Sequence, residues 1–258
     1  RRPKPDDDRI MKITPVLFAL SLTLAVSSAP GESLKEQLDA KKTAFLEMAP
    51  PDKTKSYQDG IDTVAASGIL DRALKPGDKA PDFELKTPEG KKVRLSELLK
   101  AGPIVVTWYR GGWCPYCNLT LLSLQKALPD IKAAGGQLIA LNPELDSYTS
   151  ETVGKTNIEF DVLSDPANNV AREYGIVFKM TPDVAAAMRK GVQTNTRNGD
   201  ESDELPLAAS YVIAQDGTIT YAFLDADYRN RAEPSDLIQA LQALQSLPKG
   251  AKPSSSGD

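Results

Sequence analysis

Ile104-Val105-Val106-Thr107-Trp108-Tyr109-Arg110-Gly111-Gly112-Trp113-Cys114-Pro115-Tyr116-Cys117-Asn118 contains the only two cysteines of this 258-residue chain. Its first six residues are β-branched and aromatic, which predicts a buried strand, while Leu119 to Leu128 carries apolar residues at helical spacing. A strand-to-helix turn must lie between them. Gly111 and Gly112 give the backbone the freedom such a turn needs, and Pro115 suits a first helical position, where a missing N–H costs nothing. Both sulfurs therefore fall at a helix N-terminus, where unpaired backbone donors and the helix dipole favour thiolate over thiol. The three-residue offset puts them on one face, so they can close a disulfide and reopen it, as a C-x-x-C redox pair does.

Competing readings of the pair are weaker. A structural staple closing so short a loop removes only about 2 kcal/mol of unfolded-state entropy. A zinc site needs about four ligands, and the chain has no histidine and no further cysteine. The missing histidine also excludes Cys-His and Ser-His-Asp nucleophile systems. Activation of sulfur must come from the helix, from hydrogen bonds or from a neighbouring cation. No cofactor and no metal are called for.

Met11-Lys12 precedes an apolar run from Ile13 to Val26 and the small residues Ser27, Ser28 and Ala29, the layout of a secretory signal peptide and too short for a membrane span. Either Ala25-Val26-Ser27 or Ser27-Ser28-Ala29 would serve a signal peptidase. Residues 1–10 read as a polar stretch upstream of the start at Met11. The expected location is outside the cytosol, periplasmic or extracellular. The whole chain has 31 basic and 35 acidic residues, a net charge of −4; removing residues 1–29 takes away five basic and three acidic residues and leaves −6. No basic run exceeds lysine pairs such as Lys41-Lys42, so nucleic acid and anionic membrane surfaces are poor partners.

Leu34, Leu38, Phe45 and Met48 recur at helical spacing and predict an amphipathic helix from Ser33 to Met48, ending before Pro50-Pro51. A second helix is expected over Tyr57 to Leu74. Such stripes either cover a face of the following domain or meet a partner, a second copy of the chain included. From Lys75 the composition turns to Gly, Pro and strands. Phe83 to Lys86 and Lys91 to Leu95 flank Thr87-Pro88-Glu89-Gly90 as a hairpin, followed by a short helix from Ser96. The strand Gln137 to Leu141 after the cysteine helix implies a parallel pair with a crossover helix. Phe160 to Leu163 reads as a strand, and Asn168 to Tyr174 and Thr181 to Lys190 as helices. The polar stretch Gly191 to Glu204 reads as a surface loop. Ser210 to Ala214 and Thr218 to Phe223 flank Gln215-Asp216-Gly217 as a second hairpin, and Pro234 starts a helix to Leu247. The expected organisation is an upstream extension and signal peptide over 1–30, a helical extension over 31–74, one α/β domain over 75–247, and a disordered tail over 248–258. Its mixed central sheet is flanked by helices.

Gly77-Asp78-Lys79-Ala80-Pro81-Asp82-Phe83, Tyr109 to Asn118, Val162-Leu163-Ser164-Asp165, Asp225-Ala226-Asp227-Tyr228 and Arg231-Ala232-Glu233-Pro234 together resemble an exported, peroxiredoxin-like branch of the alkyl hydroperoxide reductase and thiol-specific antioxidant family. The resemblance spans Leu34 to Leu247 and implies a thioredoxin-like fold and a thiol-dependent peroxidase. It also implies a hydroperoxide substrate, hydrogen peroxide or organic, and a thioredoxin-like reductant. The family pattern Pro-x-x-x-Thr-x-x-Cys falls on Arg110, Cys114 and Cys117, so Cys117 takes the peroxidatic position and Cys114 resolves. The family's distant arginine falls on Ala208, and no proline stands there as thioredoxins require; Pro206 lies two residues early. The alternative is a thioredoxin-like thiol-disulfide oxidoreductase in which Cys114 attacks a protein disulfide and Cys117 resolves. A third reading, without enzymatic activity, is a binding domain with an incidental disulfide. Arg110 is a candidate substrate-binding residue that could replace the missing arginine, or an exposed charge at a strand end. Trp113 and Tyr116 either shape an entrance or pack over the turn, and Arg229 and Arg231 are expected to be solvent-exposed.

Overall fold

A computed structural model describes residues 32–246. The expected signal peptide and polar tail lie outside these residues. The chain opens with three helices, α1 (Leu34–Met48), α2 (Pro51–Ala66) and α3 (Ile69–Arg72), followed by β1 (Glu84–Lys86), β2 (Lys92–Arg94), α4 (Leu95–Ala101), β3 (Ile104–Trp108) and α5 (Pro115–Ala133). Next come β4 (Gln137–Asn142), α6 (Asp146–Thr156), β5 (Asp161–Ser164), α7 (Asn169–Glu173), β6 (Val177–Lys179), α8 (Pro182–Val192) and α9 (Thr194–Asn198). β7 (Glu204–Pro206), β8 (Ser210–Ile213), β9 (Ile219–Phe223) and α10 (Pro234–Ser246) complete it.

Seven strands form one sheet in the order β2-β1-β5-β4-β3-β8-β9. β3, β4 and β5 run parallel, while β1 and β8 join them antiparallel, which makes the sheet mixed as expected. The alternation of β3 decides its layers: Ile104, Val106 and Trp108 enter the core on one face, Val105 and Tyr109 the core on the other. The first core takes Ile69, Leu95, Leu99, Val170 and Tyr174 from α3, α4 and the α7 region. The second takes Leu34 and Leu38 of α1, both cysteines and Leu121 of α5, and Leu237 and Leu241 of α10. α1 thus lies on α5 and α2 on α8, so these helices cover the domain; of their large apolar side chains only Leu46 and Met48 at the end of α1 stay exposed.

The expected second helix begins six residues earlier and breaks sooner than its apolar spacing suggested. Pro51 serves as its first helical residue, and Gly68, at φ 71°, ends the run and opens α3. The larger correction concerns Gly191 to Glu204. It is no surface loop: α8 runs on to Val192, α9 buries Thr194 and Asn198, and β7 pairs with β6. α6 escapes the apolar periodicity altogether because the residues it buries are Thr149 and Thr152.

Candidate active site

The turn after β3 is fixed by sterics. Gly111 sits at φ 144°, and a Cβ at Gly112 would lie 1.9 Å from Thr152 Oγ1, so neither position admits a side chain without rearrangement. Gly112 is held from both sides: its N–H donates to Glu144 Oε2 at 2.6 Å and its carbonyl accepts from Asn118 Nδ2 at 2.9 Å. Cys114 is the N-cap of α5, with Pro115 as the first helical residue, as the sequence predicts. Cys117 follows in the first turn.

Both thiols are free and neither has exposed surface. Arg231 and Arg229, expected in solvent, are instead 8% and 6% exposed. Arg231 Nη2 donates to Cys117 Sγ at 3.4 Å, and its Nη1 donates to the carbonyls of Tyr228 and Asn230. The loop from β9 to α10 curls back over the α5 N-terminus, which no local pattern announces. Arg229 does other work, pairing with Asp227 at 2.7 Å and donating to Gln58 Oε1 of α2 at 2.9 Å. Arg110 is buried too, at 7% exposure, so it is no strand-end surface charge. Its guanidinium lies 3.8 Å from the Tyr228 ring centre and 4.9 Å from that of Trp113. Among the described residues no carboxylate pairs with Arg110 or Arg231.

Two cations without counter-ions set the sulfur chemistry. Burial pushes the Cys114 thiol up, but the hydrogen bond from Cys117 and the charges of Arg110 and Arg231 outweigh it and hold the pKa at about 5. Burial, and then the hydrogen bond and charge directed at Cys114, push Cys117 the other way. The two thiols are thus coupled, with Cys114 the member whose pKa is lowered and Cys117 the member whose pKa is raised.

A cavity of about 540 Å³, counted to its mouth, opens onto Cys114 and is walled by Arg110, Trp113, Tyr116 and Tyr228. Trp113 and Tyr116 thus shape the entrance, and Tyr116 also packs edge-on against Tyr228 at 5.7 Å. Cys117 does not line this cavity. Tyr109 Oη, Arg110 Nε, Trp113 Nε1 and Tyr116 Oη are buried donors without partners. Each such group costs about 1–3 kcal/mol while unmet, so three residues of the cavity wall favour an incoming acceptor. Ala208, where the family arginine was expected, is buried and brings no charge.

Behind the turn lies a pair the sequence did not reveal. Glu144 is fully buried, its pKa raised by burial against the opposing Gly112 N–H and the Arg197 ion pair. Arg197 belongs to α9, stacks over Tyr148 at 4.3 Å and accepts the Leu145 N–H at its carbonyl at 2.8 Å. The only available signal was negative: a glutamate two residues past an apolar strand with no adjacent basic residue.

The family model of the AhpC/TSA family matches residues 76–222. The chain belongs to the AhpC/TSA family. Among curated AhpC/TSA relatives, the chloroplastic peroxiredoxin Q of Oryza sativa subsp. japonica is 26% identical over 186 residues, covering 72% of this chain and 73% of that protein. The thiol-disulfide oxidoreductase ResA of Bacillus cereus is 28% identical over 105 residues, 40% of this chain and 60% of that protein. In structure the chain is similar to peroxidoxin BcpB from Mycobacterium tuberculosis, with a TM-score of 0.54 at 19% identity, covering 67% of this chain and 99% of that one. The fold is accordingly the thioredoxin-like arrangement expected of this AhpC/TSA chain. Helices α1 and α2 precede the matched segment.

Proposed function

We propose that this protein is a thiol-dependent peroxidase in which the Cys114 thiolate meets the hydroperoxide, with Arg110 and Arg231 as its charge partners. One observation carries the reading: buried, carboxylate-free guanidiniums stand beside a buried cysteine pair, and Cys114 of that pair lines a small cavity. A hydroperoxide can enter such a space. A protein disulfide needs in-line approach of a third sulfur carried on a backbone, and neither cysteine presents surface for it, which disfavours the disulfide-exchange reading of the resting state.

The Cys114 thiolate attacks the terminal oxygen, the O–O bond breaks, and alkoxide or hydroxide leaves as Cys114 becomes a sulfenic acid. Arg110, substrate-binding in this scheme, neutralises the departing oxygen together with the unpartnered donors around it. Cys117 then attacks the sulfenic sulfur; the S–S bond forms and the hydroxyl leaves as water with the Cys117 proton. In sum, one thiolate, one thiol, one hydroperoxide and one proton give a disulfide, an alcohol and water, with two electrons passed to the peroxide. A thioredoxin-like dithiol returns them. Family spacing assigns the first attack to Cys117, and the Arg231 contact to its sulfur supports that order; the cavity favours Cys114. Export through the segment around Met11 to Ala29 would require that reductant outside the cytosol.

Stopped-flow fluorescence of the reduced protein with hydrogen peroxide tests the reading, because Trp113 adjoins Cys114. Oxidation far faster than a free thiol, ending in a Cys114–Cys117 disulfide by mass spectrometry, is expected. Oxidation no faster than a free thiol would return the assignment to disulfide exchange. In Cys117→Ser protein a sulfenic acid trapped on Cys114 assigns the first attack to Cys114. In Cys114→Ser protein a sulfenic acid on Cys117 assigns it to Cys117.

A further inference from the structure

The segment between β9 and α10 sets both open guanidiniums. The Tyr228 ring centre lies 3.8 Å from the Arg110 guanidinium, and Arg231 Nη2 reaches Cys117 Sγ at 3.4 Å. Arg231 is held there by the backbone of the same segment, its Nη1 donating to the carbonyls of Tyr228 and Asn230. The place of the cation at the sulfur therefore depends on the path of residues 228–231, which belong to neither a strand nor a helix.

Three carboxylates fix that path. Asp225 accepts the Asp227 N–H at 2.7 Å and Asn230 Nδ2 at 2.8 Å. Asp227 takes the Arg229 guanidinium as a fork, Nε and Nη2 each at 2.7 Å, and accepts the Arg229 N–H at 3.0 Å. A forked pair of this kind fixes direction, and Arg229 spends its charge within it. It is a tether, whereas Arg231 is left as the cation for sulfur. Two anchors come from the helical extension. Arg229 Nη2 donates to Gln58 Oε1 of α2 at 2.9 Å, and Glu233 Oε1 accepts the Lys35 N–H in the first turn of α1 at 2.5 Å. That amide is one of the donors a helix start leaves without an intrahelical partner. Gln58, Lys35 and residues 225–233 all lie outside the matched residues 76–222, so two stretches beyond the common domain meet over the sulfurs.

We propose that Asp227, Arg229 and Gln58 form a clasp that positions Arg231 on Cys117 and Tyr228 on Arg110, so that the helical extension is part of the active site. Glu233 on α1 holds the far end. All four are positioning residues that act through Arg231 and Tyr228. The clasp requires the cysteine pair to be the reactive centre of the proposed peroxidase, but not peroxide as its oxidant.

Titration of the thiolate ultraviolet absorbance against pH in the reduced protein tests it. Gln58→Lys removes the acceptor and sets a like charge against Arg229; Asp227→Ala opens the fork. Each should lower the thiol ionisation constant by about threefold to tenfold. Both substitutions make the surroundings of the sulfurs more positive, which alone would raise that constant, so the sign separates lost positioning from a plain charge effect. Gln58 is exposed, so the urea midpoint of Gln58→Lys should stay near that of the parent. Neither substitution should change the constant further once Arg231→Met is present. A constant unchanged or raised in both variants, an undiminished further shift in the Arg231→Met background, or no shift from Arg231→Met itself would each overturn the clasp. Peroxide consumption by the same preparations keeps the two readings apart. Clasp-dependent ionisation in a protein that oxidises no faster than a free thiol sinks the peroxidase alone, whereas rapid peroxide consumption with ionisation indifferent to Gln58 and Asp227 sinks the clasp alone.

Discussion

Two buried charge systems flank the turn at Gly111 and Gly112, and they are built on opposite rules. In front, Arg110 and Arg231 are buried without any carboxylate and face the sulfurs. Behind, Glu144 is buried with Arg197 and with the N–H of Gly112, its charge met on both sides. An ion pair satisfied in this way has little field left for chemistry, but breaking it strands a buried charge, so it fixes geometry. A buried cation left open costs stability and keeps its field for whatever anion comes near. The protein separates the two tasks by a single turn of backbone, so one side can be damaged while the other is watched.

The largest effect belongs to the front. Cys114→Ser should abolish rapid peroxide consumption, measured by loss of hydrogen peroxide under excess reductant, while keeping the fold, read from its circular-dichroism spectrum, because the volumes are close. The back should answer in stability. Arg197→Met leaves Glu144 buried with one partner removed and should cost about 3 kcal/mol, read from the shift in a urea midpoint; adding Glu144→Gln to that variant should recover much of the loss, and a cycle without coupling would refute the pair as a clamp. Arg110→Met and Arg231→Met should each slow sulfur oxidation by about tenfold to a hundredfold, the worth of a hydrogen bond or charge contact to an ionised group. Their urea midpoints should move less than that of Arg197→Met, since no buried carboxylate is left unpaired.

What the sequence disclosed follows the same division. The cysteine turn, both hairpins and the parallel β3-β4 pair were legible because each is specified by neighbours: β-branched runs, Pro115 at the helix start, Asp216-Gly217 at a turn. The charges that matter are not local. Arg231 reaches a sulfur 114 residues away and Arg197 a carboxylate 53 residues away, and a lone arginine in a polar stretch looks the same whether it ends in solvent or against a thiolate. Polar composition misled further at Gly191 to Glu204, where α9 and β7 are held by partners elsewhere rather than by an apolar stripe of their own. Alignment to the family pattern supplied Cys117 and Ala208 but could not show that Arg231 approaches from the far end of the chain.

The smallest effect separates front from back by pH. Cys114 has a folded pKa of about 5 against 9.0 in the unfolded chain, so the unfolded state binds more protons between those values and the thiolate's contribution to stability grows with pH. It is fully present above the unfolded value and is lost as pH falls through about 5. Glu144 runs the other way: its folded pKa is raised from 4.5, so its contribution is fully present below that value and is lost as pH rises through the folded one. Urea midpoints of the reduced protein across this range should therefore fall on acidification less steeply than Cys114 alone would dictate. Cys114→Ser should flatten the upper part of the profile, and Glu144→Gln should steepen the acid part by removing the opposing term. Alkylation by iodoacetamide supplies the independent reading, since the Cys114 rate should follow an apparent pKa near 5 in both the parent and the Glu144→Gln protein. A rate that rises only near 9.0 would show that the open guanidiniums do not hold a thiolate, and the front would then be no more reactive than the back.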